Sequence, residues 1–151
     1  MAKYKITAKG AHQLKQEESC RLKRYYCSAG KPTIGYGHVI KEGEPIVITQ
    51  AQAEAYFVVD VEDRIKILDE FKDLKPHEAD ALLIFIYNIG VNAWNASTAR
   101  RRLKRGDRKA IPGEMKRWIH VKENGVSKVC DGLVNRQNRT AKLFEKGEYS
   151  W

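Results

Sequence analysis

The segment Thr33-Ile34-Gly35-Tyr36-Gly37-His38 limits most strongly how this chain can fold. β-branched and aromatic residues favour strands, and glycines two residues apart allow close approach of the backbone. The turn-forming residues 28–32 precede this segment, and Tyr25-Tyr26-Cys27 precedes that turn. Two short strands joined by a Gly/Pro turn fit this order best. We therefore predict a small β-rich segment over residues 20–48.

Apolar residues on both sides of this segment recur at helical spacing. Thr7 can cap a helix that ends near Glu18, and Thr49 with Gln52 has capping-box spacing at the start of a long helix. Pro76 suits the first turn of a helix that is buried over 79–89 and closed by Gly90. Further helices are predicted for a basic segment capped by Ser97 or Thr98 and ending near Gly106, for residues 112–120 and for residues 131–146.

One helix, a β-segment and a mostly helical remainder indicate an α+β fold with no repeat or linker. We predict one domain over residues 1–151, with a β-containing lobe at about residues 15–60. The remaining residues and the N-terminal helix would form a helical lobe. A cleft between the two lobes is a usual place for a binding site.

The charge balance favours a polyanionic partner. The 151 residues include 28 Lys and Arg against 19 Asp and Glu, a net charge of +9. Nucleic acid, an anionic membrane surface and an acidic cell wall all fit this charge, as does a merely solvated basic surface. The basic run 100–105 can be read either as a solvated face or as a patch that attracts anions. The longest apolar stretch, 81–87, is far too short to span a bilayer.

Three cysteines make an odd count, and we expect them to be reduced in a protein made in a bacterial cytoplasm. A disulfide between Cys20 and Cys130 stays open as an alternative. No CxxC pair and no pair of histidines at ligand spacing occurs, so we expect neither a metal nor a cofactor. The basic N-terminus is not followed by an apolar run, which argues against a signal peptide.

Glu18, Cys27 and Thr33 form the most informative pattern for function. Eight residues separate Glu18 from Cys27, and five separate Cys27 from Thr33. If Cys27 ends one strand and Thr33 begins the next, the turn brings their side chains together. A carboxylate at the end of a helix facing that hairpin would then complete a compact polar site.

This pattern, followed in register by Thr-Ile-Gly-Tyr-Gly-His, resembles the active-site signature of the phage-type lysozymes. The resemblance extends to the core segment 85–90 with Ser97, Thr98 and Leu103, and to the Gly-Leu-x-Asn-Arg motif over 132–136. It implies a lysozyme-like fold with Glu18, Cys27 and Thr33 as catalytic residues. It also implies that Arg136 packs near Glu18, and that the glycine-containing segment 35–38 supports the site or binds substrate: Gly35, Tyr36, Gly37 and His38.

Four residues in or near these motifs need separate interpretation. The family usually has glycine after the catalytic Glu, and this chain has Ser19. We expect His38 to be structural and bonded to nearby backbone, and Arg139 to be a solvated helix residue. Glu17 is a neighbouring carboxylate that does not keep the spacing.

The residue types suit hydrolysis of a glycosidic bond, which needs a proton for the leaving oxygen and a nucleophile at the anomeric carbon. Glu18 is the candidate general acid. Cys27 could activate or orient a water, or attack as a thiolate, although a thiol with a pKa of about 8.5 is mostly neutral at pH 7. Thr33 could hold the attacking water. A water-directed attack would invert the anomeric centre, whereas a Cys27 adduct would retain it.

The resemblance implies an endolysin that hydrolyses the β-1,4 bond between N-acetylmuramic acid and N-acetylglucosamine in peptidoglycan. Such an enzyme would be made in the host cytoplasm, act as a monomer without membrane insertion or nucleic acid, and reach the wall through a holin. Two alternatives stay open. One is a nucleic-acid-binding helical protein, suggested by the charge, and the other is a degenerate lysozyme that binds glycan without cutting it.

Overall fold

The computed structural model describes residues 2–27 and 29–150, and it shows an α+β fold. Ser28, part of the predicted turn, lies outside the described residues. The helices are α1 Ala8–Glu18, α2 Gln50–Ile65, α3 Pro76–Ile89, α4 Val91–Ala96, α5 Thr98–Lys104, α6 Ile111–Met115 and α7 Asp131–Lys146. The strands are β1 Arg21–Tyr26, β2 Pro32–Gly35, β3 His38–Val39, β4 His120–Glu123 and β5 Val126–Val129. Two 3₁₀ segments, Lys66–Glu70 and Arg108–Ala110, follow α2 and α5.

Side chains predicted to cap the first two long helices do so. The Thr7 hydroxyl accepts a hydrogen bond from the Gly10 N–H at the start of α1. At the start of α2, Thr49 and Gln52 form both halves of a capping box. Each bond satisfies a backbone donor that has no partner inside its helix, so the sequence fixes where these helices begin.

The predicted β-segment is confirmed as a three-stranded antiparallel sheet in the order β1-β2-β3. Tyr25 pairs with Thr33, and Ile34 pairs with His38. On its other side β1 is bonded to residues 46–48, where the Arg24 N–H donates to Ile46 O at 2.8 Å. Strand β1 is therefore held from both sides and has a fixed place beside the end of α1.

Two apolar clusters stabilise the fold. The larger surrounds α3, which is buried over residues 78–86 and packs mainly against α7. The smaller consists of Ile34, Ile48 and Ala53 beneath the sheet. Helix α2 contributes to both clusters, because Ala53 faces the sheet while Phe57, Val61 and Ile65 face the larger core. This shared helix ties the β-segment to the helical remainder.

The predicted helix over 112–120 is wrong in its second half. Helix α6 ends at Met115, and His120 begins a hairpin of β4 and β5 whose residues are all exposed. Asn124 and Gly125 form its turn with φ of 52° and 77°. Asn-Gly adopts such left-handed conformations at little cost and is a strong hairpin signal.

Among the described residues, no helix is both long and apolar enough to cross a membrane.

Candidate active site

Glu18 is the last residue of α1, and its carboxylate lies at the junction of α1, α7 and the β-segment. Its Oε2 accepts a hydrogen bond of 2.8 Å from Nη1 of Arg136, which lies on α7. The Glu18 side chain is 15% exposed and that of Arg136 is 11% exposed. A carboxylate and a guanidinium this far from water need each other as partners. The predicted proximity of Arg136 to Glu18 is thus present in the structure.

A second ion pair lies next to the first. Glu17 accepts two hydrogen bonds from Arg139, at 2.9 and 2.7 Å. The expectation that Arg139 is merely solvated is therefore wrong. Arg139 lies three residues after Arg136, and this spacing places both side chains on nearly the same face of α7. The hydrogen bond to Glu17 raises the pKa of Arg139, partly offset by desolvation. Two adjacent carboxylates at the end of α1 are matched by two arginines spaced i, i+3 on α7.

Backbone strain follows directly after Glu18. Ser19 has φ 54° and ψ 175°, a region that residues other than glycine rarely adopt. In this conformation its N–H caps Lys15 O at 2.9 Å and its hydroxyl donates to Glu18 O at 2.7 Å. The departure from the usual glycine at this position thus places serine in a conformation that suits glycine.

The backbone of Gly37 lies close to the Glu18 carboxylate. Its φ is +74°, and a Cβ at this position would lie 2.7 Å from Glu18 Oε1. No side chain fits in this space unless the carboxylate moves. At Gly35, where φ is +65°, a Cβ would instead lie at ordinary van der Waals distance from Ala53, at 3.4 Å. The two glycines thus lie against different neighbours, Gly37 against Glu18 and Gly35 against Ala53.

Cys27 and Thr33 are diagonal neighbours across the hairpin, since Thr33 pairs with Tyr25. The Cys27 N–H donates to Lys31 O at 3.0 Å, and the buried Thr33 hydroxyl donates to the same carbonyl at 2.9 Å. Desolvation raises the pKa of the Cys27 thiol, but hydrogen bonds that favour the thiolate outweigh it. They come from the Lys31 and Ala29 backbone and from the Thr33 hydroxyl, whose hydrogen then turns from Lys31 O to the sulfur. The pKa of Cys27 therefore lies below its ordinary value, which favours the thiolate.

Tyr25, next to Glu18 and Cys27, is a further candidate site residue that the sequence motif does not include. Burial, followed by the negative charge of Glu18, raises the pKa of the Tyr25 hydroxyl, and Cys27 adds to the effect. Tyr25 is thus within electrostatic reach of both residues. The Arg21 guanidinium lies 4.7 Å from the centroid of its ring. The alternation of side chains along a strand that ends next to Cys27 is the signal that could have identified Tyr25.

Tyr36 and His38 point toward α2 and not toward Glu18. The Tyr36 hydroxyl donates to Glu54 at 3.0 Å. His38 is 5% exposed and lies between two carboxylates, with Nδ1 2.8 Å from Asp60 and Nε2 3.0 Å from Glu44. The expected backbone partner of His38 is thus replaced by these carboxylates. Both side chains fasten the sheet to α2.

Cys20, Cys27 and Cys130 are all free thiols in the structure, without the Cys20–Cys130 disulfide. Within residues 2–27 and 29–150, no three His, Cys, Asp or Glu side chains are grouped closely enough to hold a metal ion. A cavity of about 640 Å³ lies between the N-terminal segment and α2, but Glu18 is not among its lining residues.

Comparison with known proteins agrees with this geometry. The phage lysozyme family model matches residues 15–140. The endolysin of Acyrthosiphon pisum secondary endosymbiont phage 1 is 36% identical over 142 residues, covering 93% of this chain and 97% of that protein. An endolysin from Escherichia coli O157:H7 phage FAHEc1 superposes with a TM-score of 0.86 at 32% identity, covering 99% of both chains. The muramidase domain of SpmX from Asticaccaulis excentricus has a TM-score of 0.84 at 27% identity, over 95% of this chain and 99% of that one. The chain belongs to the phage lysozyme family of peptidoglycan hydrolases.

Proposed function

We propose that this protein is an endolysin of the muramidase type, which hydrolyses the β-1,4 bond between N-acetylmuramic acid and N-acetylglucosamine. The observation that carries the proposal is the Glu18 carboxylate held at 2.8 Å by Arg136 and closely approached by Gly37. The structural likeness to a domain described as a muramidase supports the choice of bond. A carboxyl group fixed beside a hairpin that carries Cys27 and Thr33 suits acid-assisted cleavage of a glycosidic bond.

The two oxygens of Glu18 have different surroundings, and this difference supports its role as general acid. Oε2 accepts the hydrogen bond from Arg136. Oε1 faces Gly37 and, within the described part of the chain, accepts no hydrogen bond. We assign the transferable proton to Oε1, because Oε2 is occupied by a cation that disfavours protonation there. The proton passes to the glycosidic oxygen as the bond from that oxygen to the anomeric carbon breaks.

Cys27 and Thr33 are assigned to the attacking water. When Cys27 is a thiol, the Thr33 hydroxyl donates to Lys31 O and its oxygen can accept a hydrogen bond from water. The lowered pKa of Cys27 increases the thiolate that can accept a proton from that water. The water oxygen bonds to the anomeric carbon, the bond electrons leave with the glycosidic oxygen, and the proton of the water goes to Cys27 or to solvent.

Attack by water on the face opposite the leaving group inverts the anomeric carbon. Attack by the Cys27 sulfur would instead form a glycosyl–sulfur bond and give retention after hydrolysis. We favour inversion, because Thr33 adjoins Cys27 and can hold a water there. NMR of the newly released reducing end distinguishes the two routes, since the first product is the α anomer for inversion and the β anomer for retention.

The basic run 100–105 gives little support to a nucleic-acid-binding function. Arg100 and Lys104 both pair with Glu70, at 3.0 and 3.2 Å. Arg102 lies 3.5 Å from Asp107. Much of this charge is thus neutralised within the protein, whereas nucleic-acid binding requires cations that are available to phosphates.

We further propose that the protein acts as a monomer on peptidoglycan after synthesis in the host cytoplasm and release through a holin.

Chemical reduction of the digestion products tests the bond assignment. Purified peptidoglycan is digested, and its new reducing ends are reduced with borohydride. The resulting sugar alcohols are identified by mass spectrometry. Cleavage after N-acetylmuramic acid gives muramitol. Glucosaminitol would indicate the other glycosidic bond and contradict the proposal. Anhydro sugars would indicate cleavage without water, and an absence of new ends would indicate a protein that binds glycan without cutting it.

A further inference from the structure

An acid-free stretch of sequence surrounds the candidate catalytic hairpin. Residues 19–41 contain five Lys and Arg and no Asp or Glu. Three of the five lie on β1, where they are exposed: Arg21, Lys23 and Arg24. A cationic strand without interspersed carboxylates attracts anions more strongly than a mixed surface of the same net charge.

The cations of β1 have no carboxylate partner within residues 2–27 and 29–150. None of the ion pairs there includes Arg21, Lys23 or Arg24, whereas Arg136 and Arg139 are both paired. The positive charge of β1 is thus available to a ligand. This differs from the run 100–105, where Glu70 and Asp107 neutralise much of the charge.

Arg21 is held in place by an aromatic ring. Its guanidinium carbon lies 4.7 Å from the centroid of Tyr25, and Arg24 lies 5.5 Å from that of Tyr26. Stacking on a ring uses the face of a guanidinium and leaves its N–H edge able to bind a carboxylate at two points. The backbone of β1 is fixed from both sides by β2 and by residues 46–48. Little ordering is therefore needed when an anion binds.

The position of Arg21 relates this surface to the reaction. Tyr25 pairs with Thr33 across the sheet and lies within electrostatic reach of Glu18. An anion bound to Arg21 would therefore lie close to the sugars bound at Glu18. In peptidoglycan, the acidic peptides are attached to the lactyl group of N-acetylmuramic acid, the sugar whose bond is cut. Their carboxylates are the anions closest to the scissile bond.

We propose that Arg21, stacked on Tyr25, binds a carboxylate of the stem peptide next to the cleaved bond, so that the enzyme favours peptide-bearing glycan. Lys23 and Arg24 add to the attraction without a fixed contact. The inference rests on the proposed function, since the peptide reaches Arg21 only when glycan occupies the site at Glu18. It extends that function by naming a residue that selects substrate.

The test compares Arg21→Gln with wild type on two substrates prepared from one batch of peptidoglycan. One keeps its peptides, and an amidase has removed them from the other. Both are first freed of attached phosphate polymers. We expect Arg21→Gln to lower kcat/KM about fivefold on peptide-bearing glycan, mainly through KM, because one exposed ion pair is lost. On peptide-free glycan the change stays under about twofold.

Arg105→Gln is the matched control, because Arg105 is exposed, forms no ion pair in the described part of the chain and gives the same change in net charge. It should behave like wild type on both substrates. Equal losses for Arg21→Gln on the two substrates, or losses equal to those of Arg105→Gln, would overturn the proposal. An effect seen only on walls that still carry phosphate polymers would overturn it too. Wild type that cuts neither substrate would refute the proposed function instead.

Discussion

Nη1 of Arg136 donates a hydrogen bond of 2.8 Å to Oε2 of Glu18, and this bond joins the end of α1 to the last helix of the chain. Both side chains are largely buried, at 11% and 15% exposed. The pair has a structural and a chemical consequence. It connects two helices that are far apart in sequence, and it leaves Oε1 of Glu18 as the oxygen to which we assign the transferable proton.

Replacing Arg136 by methionine should lower the free energy of unfolding by about 3 kcal/mol, because it leaves a mostly buried carboxylate without its cation. In a background that already carries Glu18→Gln, the same replacement should cost about 2 kcal/mol less. Urea unfolding of the two single variants and the double variant measures this coupling.

Arg139→Met is the control for this cycle, because Arg139 is 39% exposed and pairs with Glu17 and not with Glu18. We expect it to destabilise the protein as well, because Glu17 is only 8% exposed, but to leave turnover nearly unchanged. If the Arg136 and Glu18 replacements are additive, the two side chains do not stabilise each other and our account of the pair is incorrect.

Gly37→Ala should reduce activity through the position of the Glu18 carboxylate. A Cβ would lie 2.7 Å from Oε1, so the carboxylate must shift, and we expect kcat to fall at least about tenfold. Turnover of purified peptidoglycan and thermal unfolding are both measured. Gly43→Ala is the matched control, since φ at Gly43 is +85° but a Cβ there would meet nothing within 4 Å. Both variants should lose about 1 kcal/mol of stability, and equal activities would show that contact with Glu18 is unimportant.

Ser19→Gly should stabilise the protein by about 1 kcal/mol, because glycine adopts φ 54° and ψ 175° without the strain that a side chain causes. Ser19→Ala removes the same hydroxyl but keeps a Cβ, so it should be neutral or destabilising. Chemical denaturation of the three proteins compares them. A glycine variant no more stable than the alanine variant would show that the backbone at this position is unstrained.

Cys27→Ala should lower kcat more than it raises KM, because the residue is assigned to the water and not to sugar binding. Cys27→Asp should keep more activity than Cys27→Ala, since a carboxylate can also accept a proton from water. Steady-state rates on purified peptidoglycan measure both variants. Unchanged turnover in Cys27→Ala would mean that Thr33 and solvent suffice for the water.

The residues at element boundaries explain how much of the fold could be predicted. The caps at Thr7 and Thr49 and the helical spacing over 131–146 are local signals, and the structure has those helices where they were predicted. The hairpin at 120–129 was missed although Asn124-Gly125 marks it. All of its strand residues are exposed, so it lacks the alternation of buried and exposed positions that identifies a strand.

The candidate site was predictable only in part. The motifs named Glu18 and Arg136, which are hydrogen-bonded, and Cys27 and Thr33, which are neighbours on the hairpin. The pairing of Glu17 with Arg139 and the attachment of His38 to Asp60 and Glu44 depend on how distant elements pack. Spacing along the chain does not report such contacts, because they arise from tertiary structure and not from local preference.

The release of new reducing ends from purified peptidoglycan by Glu18→Gln, measured beside wild type, tests the account most directly. Glutamine keeps the shape of the side chain and removes the transferable proton, so the rate should fall about 1,000-fold. Thermal unfolding shows in parallel whether the variant is folded at the assay temperature. A folded Glu18→Gln protein that releases reducing ends at the wild-type rate would contradict the assignment of Glu18 as the general acid.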